Sequence, residues 1–240
     1  MPPLKSEGVC SFCKETMSKQ AMTRHVASHL EKMEKEATQN TKRKYYHISI
    51  TAAEMFLVLL IESETSFEQL DDFFRDIWVE CCGHMSSFRT KSGITIMDND
   101  FGFGDESFPM ETSLSKVYQK GLQMMYEYDF GSTTYFEVKF VGEYELPTQR
   151  RKITLVSRNE PLPILCQICK EQPAEQICAV HMYEGGFFCK KCARKHKKEC
   201  EDFEDYAKMP VVNSPRMGMC DYDGGSIDKK RDGVYKLKEA

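Results

Sequence analysis

The chain has 240 residues, is 41% hydrophobic and 11% aromatic, and carries a net charge of −4. That composition supports a packed core and excludes wholesale disorder, and the length suits one sizeable domain with small appendages or two modest domains. The longest apolar run, Met55–Ile61, is seven residues against the ~20 of a membrane-spanning helix, and the opening Met-Pro-Pro-Leu-Lys-Ser-Glu-Gly lacks the apolar stretch of a secretory signal. The expectation is a cytoplasmic protein with no membrane segment.

Charge is segregated along the chain. Residues 1–50 hold nine basic against five acidic residues, 51–160 ten against nineteen, and 161–240 fourteen against thirteen. An acidic middle repels phosphate, so any nucleic-acid contact falls to the two ends. The eleven cysteines are odd in number and interleaved with histidine. This pattern points to thiolates on metal in a reducing compartment rather than to a disulfide framework.

Taken in order, the first unit is Cys10-x2-Cys13, eleven residues, then His25-x3-His29. A turn presenting two thiolates and a helix presenting two imidazoles at i and i+4 is the logic of a Cys2His2 finger. Met17 and Met22 supply its small core. The spacer is one shorter than the usual length of about twelve. Residues 31–44 are polar and read as the finger's helix running into a linker that ends in Lys42-Arg43-Lys44.

Core begins at Tyr45. Tyr45–Ile50 and Glu54–Ile61 read as strands. Thr65-Ser66 can cap a helix, with Glu68 near the N3 position. The helix is expected to run to about Glu80, burying Phe67, Leu70, Phe73 or Phe74, Ile77 and Trp78. Glu68, Asp71, Asp72 and Asp76 then form its solvated face. Cys81-Cys82-Gly83-His84 closes the helix. It offers a metal half-site or a nucleophile and base, but neighbouring side chains on a helix diverge, and packed cysteines are the simpler reading. Residues 98–106 begin like a calcium loop but place Gly102, Phe103 and Pro109 where oxygen, glycine and glutamate ligands belong, so they read as a glycine-rich acidic loop. Ser113–Gln119 reads as a short helix. Gly121–Asp129 and Thr133–Leu146 alternate as two strands about the turn Phe130-Gly131-Ser132, and Ile153–Ser157 adds another. The expected fold class is α+β, with a mainly antiparallel sheet, packed helices and small zinc-stabilised modules at the flanks.

Pro161-Leu-Pro163 marks a boundary. Beyond it come Cys166-x2-Cys169, Cys178-x2-His181, Cys189-x2-Cys192 and His196-x3-Cys200. Four ligand pairs suffice for two tetrahedral zinc ions. Interleaving, with pairs one and three on one ion and two and four on the other, is natural, although spacing alone leaves the pairing open. So polar a segment has little core, and metal must supply most of its folding energy. Lys190, Lys191, Arg194, Lys195, Lys197 and Lys198 form a basic cluster on an expected short helix, followed by the acidic run Glu201–Asp205. The organisation expected is a finger and linker over 1–44, an α+β domain over 45–160, a double-zinc module over 161–205 and a tail over 206–240.

Three stretches together carry a family likeness. They are Ser66-Phe67-Glu68-x-Leu70 through Ile77-Trp78-Val79-Glu80-Cys-Cys-Gly-His84-Met-Ser-x-Phe88, Tyr126-Glu-Tyr-Asp-Phe-Gly-Ser-Thr-Thr134, and the tail motif Asn213-Ser-Pro-Arg216-Met-Gly218-Met-Cys220. Residues 45–158 resemble the pRiA-plasmid Orf-3-like domain family. The resemblance implies an α+β domain of prokaryotic, often plasmid- or transposon-associated proteins, and no assigned activity.

Two functions follow as expectations. One is a non-catalytic adaptor of a prokaryotic cell that holds about three zinc ions and grips nucleic acid or a protein partner with its terminal modules. In the nucleic-acid form, Lys14, Lys19 and Arg24 would act with the 190–198 cluster. The other is an enzyme with its site near Cys81, Cys82, His84 and Asp129, or at Cys220. Against it, no Gly-x-Ser-x-Gly, phosphate-binding glycine loop or His-Glu-x-x-His is present, and zinc sites with four protein ligands have no open position.

Overall fold

Alternating apolar residues over long β-branched and aromatic runs build one large sheet, seen here in a computed structural model. The structure describes residues 4–38, 42–98 and 106–227. They form two compact units, one of Ser6–Phe74 with His84–Glu160, the other containing Arg75–Gly83 and the chain from Pro161.

In the first unit, a hairpin of β1 (Glu7–Val9) and β2 (Thr16–Ser18) leads into α1 (Lys19–Glu36). Ser18 caps this helix, its hydroxyl accepting from the Ala21 N–H. Then come β3 (Lys42–Ala52), β4 (Met55–Glu62), α2 (Phe67–Phe74), β5 (Ser86–Thr90), β6 (Ile94–Ile96) and β7 (Glu106–Phe108). After α3 (Leu114–Val117), strands β8 (Gln123–Tyr128), β9 (Thr134–Pro147) and β10 (Ile153–Arg158) complete it. The eight strands run β10-β4-β3-β9-β8-β5-β6-β7, and every pair is antiparallel except β6 with β7.

Both faces of the sheet are covered, which is why β4 is buried from Met55 to Ile61. On one face Met22, Val26 and Leu30 of α1 pack with Tyr45, Phe56, Val58, Leu60, Tyr144, Leu146 and Val156. On the other, Phe74 of α2 meets Phe88, Tyr126 and Phe136 at ring separations of 4.9 to 6.1 Å. Strand β9 serves both. Its even-numbered residues are buried from end to end, yet Phe136 belongs to the α2 face and Tyr144 and Leu146 to the α1 face. The register against β3 jumps between His47–Gly142 and Ile48–Phe140, and this bulge turns the alternation over to the opposite face.

Three expectations need correction. The finger's helix α1 does continue to Glu36, but Lys42–Lys44 are not the end of a linker: they open β3. The N-terminal unit is correspondingly part of the sheet domain, with the Ser11 N–H donating to the Val156 carbonyl at 2.9 Å and Gly8 bridging to Asn159. Second, the helix capping box is Ser66 with Gln69, not Glu68. The Ser66 hydroxyl accepts from the Gln69 N–H at 3.2 Å while the Gln69 side chain accepts from the Ser66 N–H at 3.3 Å. Third, the α-helix ends at Phe74 and gives way to a π turn over Arg75–Val79. Asp71 is not on a solvated face. It is buried, accepting from Ser86 Oγ at 2.7 Å and Tyr126 Oη at 2.5 Å.

In the second unit, β11 (Gln176–Cys178) lies between β12 (Phe187–Phe188) and β13 (Lys208–Pro210), and α4 spans Lys190–His196. The segment after residue 205 belongs to this unit: a π turn over Phe203–Ala207 leads straight into β13, which pairs with β11. Its core is Cys166, Cys178, Phe188, Cys189, Cys192, Ala193, Cys200, Phe203 and Ala207. Five of these nine are cysteines, so the apolar surface available to hold the unit together is small. The part of the calcium-like loop over 99–105 lies outside the described residues. Among the described residues no helix is long and apolar enough to cross a membrane.

Candidate metal centres

Among the described residues, three groups of four ligand atoms are each assembled within a single unit, with all their atoms within 4.8 Å of one another: Cys10, Cys13, His25 and His29; Cys166, Cys169, Cys189 and Cys192; and Cys178, His181, His196 and Cys200. These are the twelve residues expected from spacing. In the second unit the pairs interleave, one with three and two with four.

The first group joins a turn to a helix. Cys10 and Cys13 sit in the turn between β1 and β2, where the Cys10 N–H donates to the Glu15 carbonyl at 2.9 Å and the Lys14 N–H to the Cys10 carbonyl at 2.8 Å. Lys14 closes the turn with φ +66°. His25 and His29 stand one turn apart on α1. Cys13 Sγ lies 3.1 Å from His25 Nε2, which lies 3.1 Å from His29 Nε2. Tetrahedral zinc would set such donors about 3.4–3.8 Å apart, so a small expansion accommodates the ion.

The same turn recurs at Cys166 and Cys169. The Lys170 N–H donates to the Cys166 carbonyl at 2.8 Å, and Lys170 takes φ +59°. Cys-x2-Cys-Lys is thus one device used twice, with a left-handed lysine where glycine would be less strained. Its partners Cys189 and Cys192 come from the N-terminal end of α4, Cys189 being the cap residue. Cys169 and Cys189 sulfurs are 3.9 Å apart. Burial would raise the Cys166 thiol, but N–H groups of Cys169, Cys189 and Ile168 outweigh it and bring the group down to about 6. Cys192 is pushed up to about 12 by burial and by Cys166 and Cys189. One thiolate forms easily and its neighbours then resist. A divalent cation is what permits four to ionise together.

In the third group Cys178 ends β11, His181 closes the short 3-10 turn Ala179–His181, His196 ends α4, and Cys200 follows one turn later. Cys178 Sγ is 3.2 Å from His181 Nδ1 and 4.0 Å from Cys200 Sγ. His196 stacks on Phe188 with ring centres 4.3 Å apart and meets Phe203 edge-on at 5.1 Å. Its Nε2 is buried with no hydrogen-bond partner, an expensive state for a polar atom unless it ligates an ion. Donor set, distances and that orphaned nitrogen all fit a metal.

Cys81 and Cys82 do not pack into the core as expected. They lie beyond the π turn, Cys81 half-buried and Cys82 exposed, with sulfurs 3.5 Å apart. Outside a helix, adjacent side chains can converge. Cys220 joins them, 3.6 Å from Cys82. Hydrogen bonding with Cys81 and Cys220 pushes the Cys82 thiol up to about 12. Of the other residues of the enzyme alternative, His84 Nε2 lies 3.5 Å from Asp129 Oδ2 in the sheet unit. The Asp129 Oδ1 atom accepts from the N–H groups of Gly131 and Ser132, a turn-forming role that the hairpin itself requires.

Lys190, Lys191, Arg194, Lys195, Lys197 and Lys198 are all exposed, on α4 and just past it. Lys190 pairs with Glu175 at 3.4 Å and Lys197 with Glu204 at 3.7 Å. The same unit exposes Leu165, Ile168, Val180, Tyr183 and Tyr206, with Tyr183 85% accessible. On the finger, Lys19 reaches the Ala53 carbonyl and Glu54.

No family model matches the sequence, and no curated protein does. Among solved structures the chain is similar to that of a protein of unknown function from Methanosarcina mazei Go1, with 16% identity, 70% of this chain and 88% of that chain covered, and a TM-score of 0.43.

Proposed function

We propose that the protein is a zinc-organised, non-catalytic adaptor of the prokaryotic cytoplasm that docks a protein partner through its C-terminal metal unit. The observation that carries this reading is the set of three four-ligand groups. Each offers a complete tetrahedral shell, so the ions hold structure and have no open position for a substrate. Zinc suits mixed thiolate and imidazole donors better than the harder divalent ions do, and three ions per chain follow from the twelve ligands. Eleven free thiols accord with a reducing compartment. The affiliation of residues 45–158 with the pRiA Orf-3-like family is part of the same proposal.

A protein partner is favoured over nucleic acid by two features. The unit exposes aromatic and aliphatic side chains beside its cations, and two of those cations already face carboxylates. Lys19 is engaged with the loop between β3 and β4 rather than presented to a phosphate. A partner presenting apolar side chains flanked by acidic ones would complement this surface.

The test is binding of the zinc-loaded chain to nonspecific duplex DNA and single-stranded RNA across a salt series. The reading expects no micromolar binding at moderate salt. Micromolar binding that falls steeply with salt, and that is lost on charge reversal at Lys190, Lys191, Arg194 and Lys195, would instead make this a nucleic-acid adaptor.

A further inference from the structure

The segment Asn213–Cys220 plays no part in the three metal centres or in the adaptor surface, yet it is built with care. Ser214 Oγ donates to the Trp78 carbonyl at 2.5 Å and accepts from the Arg216 N–H at 2.9 Å. Ser214, Arg216 and Trp78 are buried. The segment is thereby fastened to the π turn Arg75–Val79 of the same unit. Left-handed backbone at Gly218 (φ +82°) and Cys220 (φ +52°), continued at Asp221 (φ +52°), marks the turn in which Cys220 meets Cys81 and Cys82. Left-handed backbone at non-glycine residues costs about 1 kcal/mol or more each and persists where the surroundings impose it.

The three sulfurs fit one ion. Cys81 and Cys82 are 3.5 Å apart, Cys82 and Cys220 3.6 Å, and all three lie within 4.8 Å of one another. Sulfurs on a tetrahedral zinc at ~2.3 Å lie about 3.8 Å apart, whereas a disulfide requires ~2.05 Å. Charge fits as well. Three thiolates and Zn2+ sum to −1, and the buried Arg216 places Nη2 3.6 Å from Cys81 Sγ, restoring neutrality.

We propose that Cys81, Cys82 and Cys220 bind a fourth thiophilic divalent ion, zinc by preference, with Arg216 balancing its charge. Loading releases the three thiol protons to solvent and changes no oxidation state. The centre differs from the other three in that Cys82 and Cys220 are exposed, so its ion is the first to be removed by a chelator. This inference does not depend on the adaptor reading.

The experiment compares the full-length protein, reconstituted with excess Zn2+, with its Cys82→Ser/Cys220→Ser variant by native mass spectrometry. A loss of one ion per chain is expected, whatever the absolute count of the other centres. A parallel Co2+ titration should lose one step of thiolate-to-metal charge-transfer absorption in the variant, and this readout stands even if the variant is less stable. Equal ion counts in both proteins would overturn the proposal. So would a freshly purified wild type that carries a Cys82–Cys220 disulfide, two hydrogens lighter, and takes up no ion there.

Discussion

Leu30→Ala tests whether the N-terminal metal unit is an integral layer of the sheet domain. Leu30 ligates nothing. It is fully buried in the cluster formed by α1 and strands β3, β4, β9 and β10. Truncation removes three carbons, about 2.4 kcal/mol of transfer free energy at about 0.8 kcal/mol per carbon, plus a cavity contribution, so a loss of about 3 kcal/mol is expected. For a chain of this size that lowers Tm by ~6–12 °C. The assay is thermal unfolding of the zinc-loaded protein followed by far-ultraviolet circular dichroism, with the ion count checked in parallel. The main sheet transition should move by this amount with the zinc still bound before heating. A main transition displaced by less than about 1 °C, with only a minor separate N-terminal step affected, would mean that the finger is an independent appendage and would refute the packing argument.

Three further outcomes are expected. His47 is buried in β3 with neither ring nitrogen hydrogen-bonded, and burial lowers its pKa from 6.5 to about 4. The unfolded chain therefore binds the extra proton first, and stability is lost as pH falls from about 6.5 through 4, by up to about 3 kcal/mol. His47→Leu should abolish that loss in urea titrations, while protonation of the metal ligands is common to both proteins; parallel pH curves would contradict it. Asp71→Ala removes the buried acceptor of the Ser86 and Tyr126 hydroxyls and should cost roughly 2–4 kcal/mol in denaturant unfolding, whereas a solvated Asp71 would cost under about 0.5. Lys170→Gly removes the left-handed strain of the Cys166 turn and should raise stability by about 0.5–1 kcal/mol with the ion count unchanged; a fall in stability would mean that the lysine side chain itself matters there.

Much of the chemistry was legible because metal ligands come in short local pairs. Cys10/Cys13, His25/His29 and the four pairs from Cys166 to Cys200 are each fixed by a single turn of chain, and the structure unites the residues the spacing singled out. What spacing could not decide was the pairing of pairs, which depends on β11, β12 and α4 being brought together. The strands were read from alternation, and β9 shows the limit of that signal: its even-numbered residues are buried throughout, but a bulge near Gly142 sends the two halves to opposite faces. Asp71 was misassigned because helical periodicity shows that a position faces inward only when its neighbours are apolar, and a buried carboxylate with hydroxyl partners breaks that rule. The lysine-rich stretch at 42–44 looked like a linker because strand ends at a sheet margin can be as polar as coil. Cys220 stands beside Cys81 and Cys82 among the candidate site residues, but its contact with them is not legible in the sequence, since 138 residues separate it from Cys82 and nothing local links them.

The central claim is that three complete four-ligand centres organise this chain around zinc. Native mass spectrometry of the intact protein, purified without added metal and exposed to a mild chelator, tests it directly. The account predicts three zinc ions retained per chain. Stoichiometric folding with no zinc bound would contradict it, and retention of only two ions, with Cys10→Ser leaving that count unchanged, would remove the N-terminal centre from the account.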